Sequence, residues 1–262
     1  MRKSSIFAGL ALLLAGAANA DAADLNGGSI KDGGYGYSQP AIGAAARFYV
    51  RGDFTWASQG LGSINEAPAY NLSQPSIASA HGFGIGAGYY FSPNVRLDVT
   101  HDWRSTSDVH GSNLDSAATV RGTRNFGIKS DVTLINAYYD FDSRNRFSPY
   151  LGVGLGLSRN QTSDGTIDIV PACAAPACLA TFGGATKWAA AGAVMAGFSA
   201  KLHERMYLDA GYRFMYLGDT HTGDVMITRS PVVPGAPTSS PEVKASDLYA
   251  HEFRVGIRYD IR

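Results

Sequence analysis

Few residues in this 262-residue chain have types and spacing suited to chemistry. His110-Gly111-Ser112, with Asp108 nearby, supplies a base, a hydroxyl and an acid, the types a hydrolase requires. Catalysis needs those groups held within hydrogen-bond reach, and here they lie in a Gly-, Ser- and Asn-rich stretch that reads as a solvated loop. Arg51-Gly52-Asp53 spells the tripeptide that integrins bind, yet it falls inside an alternating segment rather than at a loop tip. The glycines 82, 84, 86 and 88, like 152, 154 and 156, keep strict period two. A phosphate-cradling loop instead places its glycines between a strand and a helix. Cys173 and Cys178 have no interleaved His or acid, so zinc is not indicated. They are either a local disulfide or two free thiols. An oxidising envelope favours the disulfide, a small ring contributing about 2 kcal/mol at most.

The compartment follows from the first twenty residues. Met1-Arg2-Lys3 is a positive start, Ile6 to Ala15 an apolar run, and Ala18-Asn19-Ala20 a small-x-small cleavage signal. Residues 1–20 are therefore expected to be a signal peptide, 21–46 a periplasmic extension and 47–262 the folded body. Removal of the leader changes 22 bases and 22 acids to 20 and 22, which gives no basic footprint for nucleic acid. No later apolar run reaches the roughly 20 residues of a spanning helix. A chain like this can enter a membrane only as strands of a closed barrel, which satisfies every backbone group in lipid.

From Arg47 onward, apolar residues recur with the strand period of two. Eight segments carry it: Arg47 to Trp56, His81 to Phe91, Val95 to Arg104, Lys129 to Phe141, Phe147 to Ser158, Thr186 to Lys201, Met206 to Leu217 and Leu248 to Ile261. In the fourth, Val132 and Leu134 share one parity and Ile135, Ala137, Tyr139 and Phe141 the other, which leaves two readings open, a bulge or a different strand register. The Ala- and Gly-rich sixth assigns its faces weakly.

Connections after the second, fourth and sixth segments are short, whereas Ala57 to Ala80, Ser105 to Ile128, Arg159 to Ala185 and Gly218 to Asp247 are long and polar. Short turns at one end and long loops at the other predict an all-β fold. The expected architecture is an eight-stranded antiparallel transmembrane β-barrel with long extracellular loops and short periplasmic turns. One face of the strands bears Arg51, Asp53, Arg96, Asp98, Asp102, Arg104, Asp209, Arg213, Glu252, Arg254, Arg258 and Asp260, a set suited to neutralising ion pairs in a narrow lumen. The other face is apolar and carries Trp56, Phe91, Trp103, Tyr216 and Tyr259 near strand ends, as interface girdles do. A soluble lipocalin-like barrel would reverse these faces, placing the charges outside and the apolar residues within.

Arg47-Phe48-Tyr49-Val50-Arg51-Gly52-Asp53, Asn136-Ala137-Tyr138-Tyr139-Asp140-Phe141, Pro149-Tyr150-Leu151-Gly152-Val153-Gly154, Leu208-Asp209-Ala210-Gly211-Tyr212-Arg213-Phe214 and Phe253-Arg254-Val255-Gly256-Ile257-Arg258-Tyr259 give the chain a family likeness. It resembles the small outer-membrane β-barrel proteins of alphaproteobacteria, relatives of opacity-protein and OmpA-type barrels. The resemblance covers about residues 47 to 262 and fails in the loops. It implies outer-membrane lipids and the barrel assembly machinery as partners, and an envelope-integrity or surface role that includes host-surface or other envelope components. Two further roles come from such barrels alone: haem binding, for which His81, His101 and His221 have no supporting spacing, and lipid-acyl hydrolysis at the external rim. The matching motifs are strand motifs, so no site residue, cofactor or catalytic assignment transfers. The expectation is a non-enzymatic protein without a cofactor.

Overall fold

The computed structural model describes residues 48–65, 71–114, 120–141, 146–169, 178–228, 238–240 and 244–261. The expected signal peptide and extension, residues 1–46, lie outside them. So does Cys173, and with it the disulfide assignment.

Among the described residues every element is a strand. Eight close a ring: β1 (Phe48–Asn65), β3 (Ala80–Tyr90), β4 (Val95–Arg104), β6 (Val120–Asp140), β7 (Phe147–Thr162), β10 (Thr186–His203), β11 (Met206–His221) and β14 (Lys244–Ile261). Each pairs antiparallel with the next, and β14 returns to β1 with Phe48 opposite Ile261 and Trp56 opposite Phe253. Closure leaves no membrane-level edge strand. The alternation Tyr49, Arg51, Asp53, Thr55 inward and Phe48, Val50, Phe54, Trp56 outward repeats around the ring. Outward aromatics are well exposed, with Trp56 at 62% and Phe91 at 71%. Phe48 to Trp56 spans about 20 Å along the barrel axis at ordinary strand rise and tilt, close to the apolar band a thin outer membrane requires.

The long connections differ from the expected loops. They contain β2 (Asn71–Ile77), β5 (Ser107–Leu114), β8 (Gly165–Ile169), β9 (Cys178–Phe182), β12 (Val225–Thr228) and β13 (Thr238–Ser240). These prolong the barrel strands. Ile77 faces Val109 in the same register that sets Gly82 opposite Arg104, and Gly165 faces Phe182 in the register of Gln161 and Thr186. β2 therefore runs into β3, β5 extends β4, and the remaining four join β7, β10, β11 and β14 similarly. His110-Gly111-Ser112 is thus in β5, with Gly111 and Ser112 opposite Arg124 and Thr123 of β6. Sequence alternation missed these strands because, beyond the lipid, neither face needs to be apolar.

Among the described residues the wall parts at two places. Above the Ala57–Ala80 rung β1 and β2 form no ladder; Pro75 lies in β2, and proline cannot donate to a neighbouring strand. Above Gly192–Tyr216 the β10–β11 ladder stops and β11 steps inward. Gly218 makes this step: its φ is +74°, and a Cβ there would stand 2.5 Å from that of Ala189. Inward side chains of β7 take over from β10. Ser158 Oγ donates to the Leu217 carbonyl at 2.6 Å, Asn160 Nδ2 to Leu217 at 2.9 Å and Asp219 at 3.3 Å, and Thr162 Oγ1 to His221 at 3.0 Å.

The fourth segment contains no bulge. β6 pairs continuously with β7 from Ile128 to Asp140, so Val132 and Leu134 point into the lumen and Ile135, Tyr139 and the following Phe141 point out. The parity conflict arose because the lumen itself turns apolar here. In β10, Ala191, Ala193, Met195 and Ser199 face in and Trp188, Val194 and Phe198 face out.

Candidate functional site

The lumen has two storeys. The periplasmic one is ionic. Arg51 grips Asp53 through Nε at 2.9 Å and Nη2 at 2.8 Å, while its Nη1 reaches Asp98 and the Tyr138 hydroxyl, each at 3.1 Å. Asp98 also accepts from Tyr49 at 3.1 Å and Asn136 at 2.7 Å. Arg96 makes a two-point pair with Asp140 at 2.6 and 2.8 Å. Arg258 donates to Asp209 at 3.1 Å, to Ser199 at 3.2 Å and to the Tyr90 hydroxyl. Further out, Arg213 binds Asp102 at 2.8 Å, Arg254 binds Asp53 at 2.9 Å, and Glu252 receives both Arg104 and Arg213. Removing one member of such a buried pair costs about 3–5 kcal/mol, although the intact pair need not outdo a well-packed apolar substitute.

The inward residues the sequence singles out thus meet in one network, with two differences from a simple set of pairs. Asp260 is joined through Tyr90, whose hydroxyl donates to it at 2.7 Å, rather than by a direct arginine contact among the described residues. Asp140 was missed, although its even parity beside Asn136 and Tyr138 marks it as inward. Tyrosines extend the network: the Arg96 guanidinium lies 4.7 Å from the Tyr138 ring centre and that of Arg258 4.5 Å from Tyr207.

Glycines make the room. A Cβ on Gly88 would stand 2.5 Å from the Tyr49 hydroxyl and 2.7 Å from Asp98 Cβ, and one on Gly197 or Gly211 would stand 2.7 Å from the Tyr150 hydroxyl. Period-two glycine therefore serves the bulky side chains of neighbouring strands. Arg51-Gly52-Asp53 belongs to this interior, with Arg51 and Asp53 buried and bound to each other.

The outer storey is mainly apolar, with the buried Ser107, Ser130, Ser158, Asn160 and Thr162 set among its side chains. Val109, Ile128, Val132, Leu134, Met215, Leu217, Leu248 and Ala250 are buried inside the ring, with Ala57, Ala80, Phe126 and Phe182 packed among them. Most are at 0–1% exposure, which leaves no water-filled passage along them.

Outside the wall, His110 is exposed and its Nδ1 lies 2.6 Å from the Asn125 amide oxygen. An amide rather than a carboxylate thus orients this ring. His101 meets Thr133 at 2.8 Å, and His251 meets the Tyr212 hydroxyl at 2.6 Å. All three sit on outward positions of the sheet. Among the described residues no group of three or more His, Cys, Asp or Glu could hold a metal ion.

A closed eight-stranded antiparallel barrel with a lipid-facing apolar band and a polar, ion-paired interior defines a transmembrane barrel of the bacterial outer membrane. Residues 8–260 match the outer membrane protein beta-barrel domain family, and the chain belongs to it. An uncharacterized protein of Brucella suis is 27% identical over 255 residues, which cover 86% of this chain and 87% of that protein. Outer membrane protein PagN of Salmonella typhimurium is 26% identical over 117 residues, 37% of this chain and 48% of its own length. Among solved structures, Neisserial surface protein A is similar at 20% identity and a TM-score of 0.44, over 82% of this chain and 97% of that one. OprG of Pseudomonas aeruginosa is similar at 16% identity and a TM-score of 0.46, over 83% and 97%.

Proposed function

We propose that this outer-membrane barrel acts as a surface-interaction and envelope-structural protein, and that it is neither a wide channel nor an enzyme. The carrying observation is where the chain places its ordered polar surface. The interior is filled by its own side chains, whereas the strands continue past the outer aromatic belt for as many residues again, Trp56 to Asn65 in β1 alone. A wall of this kind costs backbone ordering that lipid anchoring does not require. It gives rigid support to whatever meets the rim. The partners this reading expects are host-surface or other envelope components, beyond the surrounding lipid and the assembly machinery. Catalysis has less support: it needs groups held by a supporting shell, and His110 faces an amide on an open sheet face.

The test is a barrel shortened to the belt by joining Ser58 to Ser79 and Ser105 to Ser130. It is compared with the full chain for host-cell adhesion, detergent resistance of the cells and lipid A mass. The shortened barrel should insert and keep its heat-modifiable mobility while adhesion or detergent resistance falls. Unchanged values for both, or acyl loss from lipid A that vanishes in Ser112→Ala, would refute the proposal.

A further inference from the structure

One row of outward positions crosses the outer aromatic belt on four consecutive strands. Trp103 of β4 stands opposite Asp131 of β6, Asp131 opposite Arg159 of β7, and Arg159 opposite Trp188 of β10. The next row outward sets Lys129 opposite Gln161 and Gln161 opposite Thr186. Directly opposed side chains on neighbouring strands have Cβ atoms about 5 Å apart and diagonal ones about 7–8 Å, so register alone gathers Arg159, Lys129 and Gln161 on one patch. The two cations face outward: Ser158 and Asn160, which flank Arg159, and Ile128 and Ser130, which flank Lys129, are buried inside the ring.

The patch sits at the edge of the apolar band. Leu155 and Leu157, the outward residues before Arg159 on β7, are exposed, as are the bracketing Trp103 and Trp188. Exposed leucines on a barrel wall meet acyl chains, and tryptophans mark the interface. Arg159 lies two residues beyond Leu157, about 5 Å further out at ordinary rise and tilt, which is headgroup depth. Near the belt on β1, β3, β11 and β14 the outward positions hold Ser58, His81, Tyr216, Tyr249 and His251. Among the described residues, then, lysine and arginine at this depth are confined to one sector.

Neither Arg159 nor Lys129 has an ion pair or a side-chain hydrogen bond among the described residues. Asp131, directly opposite Arg159, instead accepts from Gln161 Nε2 on Oδ2 at 3.3 Å, and its Oδ1 is buried without a partner. The patch therefore holds two open cations and one acid. A guanidinium offers a fork matched to phosphate oxygens, and an ammonium adds a compact point charge. Long basic side chains at a membrane interface keep their stems on apolar surface and their heads among the phosphates.

We propose that this patch binds one phosphate of lipid A, the phosphoglycolipid of the outer leaflet, with Arg159 and Lys129 on the phosphate oxygens and Trp188 and Leu157 against the sugar and the first acyl chain. A phosphomonoester carries close to two negative charges at neutral pH, which matches the two cations better than the single charge of a phosphodiester. The full chain, refolded in a zwitterionic detergent, is offered bisphosphorylated lipid A, dephosphorylated lipid A, phosphatidylglycerol or inorganic phosphate, and bound molecules are counted by native mass spectrometry. One bisphosphorylated lipid A should be retained, and the other three weakly or not at all. Lys129→Gln/Arg159→Gln should weaken retention about thirtyfold, the effect of two interfacial cations. The charge-matched pair Arg146→Gln/Lys201→Gln, exposed at the periplasmic turns, should keep it, and Asp131→Asn should tighten it. Heat-modifiable mobility shows which variants fold; if the double variant does not, Arg159→Gln carries the comparison with an about fivefold loss. Equal retention of any of the other three probes, equal binding in the site and control variants, or weaker binding in Asp131→Asn overturns the site.

Discussion

Glu252 offers the sharpest probe of the lumen. It is 1% exposed, and its two oxygens receive different arginines, Arg104 on one and Arg213 on the other. Glu252→Leu leaves Arg213 its 2.8 Å contact with Asp102 but leaves Arg104 no carboxylate among the described residues. Stranding a buried charge in this way should cost about 3–5 kcal/mol. Removing the stranded charge as well should reverse most of the loss. In Glu252→Leu/Arg104→Met the new methionine meets Met215 and the apolar storey, and replacing a buried pair by packed apolar groups is often neutral or stabilising by about 1–4 kcal/mol. Urea unfolding from lipid vesicles, read by tryptophan fluorescence, gives both values from the midpoint and slope. A double variant as unstable as Glu252→Leu alone would refute the reasoning, because it would place the cost in lost packing and not in uncompensated charge.

Three other outcomes follow from the same geometry. Val99 is outward, half exposed and four residues from Trp103, about 10 Å below the belt at ordinary rise and tilt, so Val99→Arg should cost about 2–4 kcal/mol and Phe91→Arg, at the periplasmic turn, about 0–1; equal costs in vesicle unfolding would contradict the assigned lipid face. Gly88→Val drives its side chain into Tyr49 and Asp98 and should lose about 1–3 kcal/mol by overpacking, seen as a lowered urea midpoint, whereas an unshifted midpoint would mean that the lumen has slack. Planar bilayers holding the pure protein should show no porin-sized current, since Leu134, Met215, Leu217 and Leu248 fill the outer storey; a stable large conductance would contradict that packing.

Reading this chain from its residues works where lipid enforces a pattern. Between the aromatic belts nearly all outward positions are apolar, His101 and Thr133 being polar exceptions that bond each other, so parity in β1, β4 and β14 is legible, and with it the inward set from Arg51 to Asp260. The same logic fails where the constraint is lifted. In Ser107–Leu114 the sequence shows no alternation, although the strand pairs with β6 in one register from Ser107 to Asn113. Val132 and Leu134 mislead for the opposite reason: the inward face of β6 is apolar there, in one cluster with Met215, while the outward face passes from Ile135 to the polar Thr133 and Asp131. Partner identity is the least legible part. Parity shows that Arg104 points inward but not that Glu252, 148 positions away, receives it, because that contact exists only once the ring has closed.

That dependence on closure has a consequence for assembly. β14 carries Glu252, Arg254, Arg258 and Asp260, and their partners include Arg104 on β4, Asp53 on β1 and Tyr90 on β3. Arg213 and Asp209 of the adjacent β11 can already hold Glu252 and Arg258 in an open sheet, whereas Arg254, Asp260 and Arg104 gain these partners only when the last strand meets the first. A slip of one residue at this seam would turn every one of those groups toward lipid, where a single mid-bilayer arginine already costs about 2–4 kcal/mol. The ionic lumen thus disfavours a slipped seam relative to the register in which β14 meets β1.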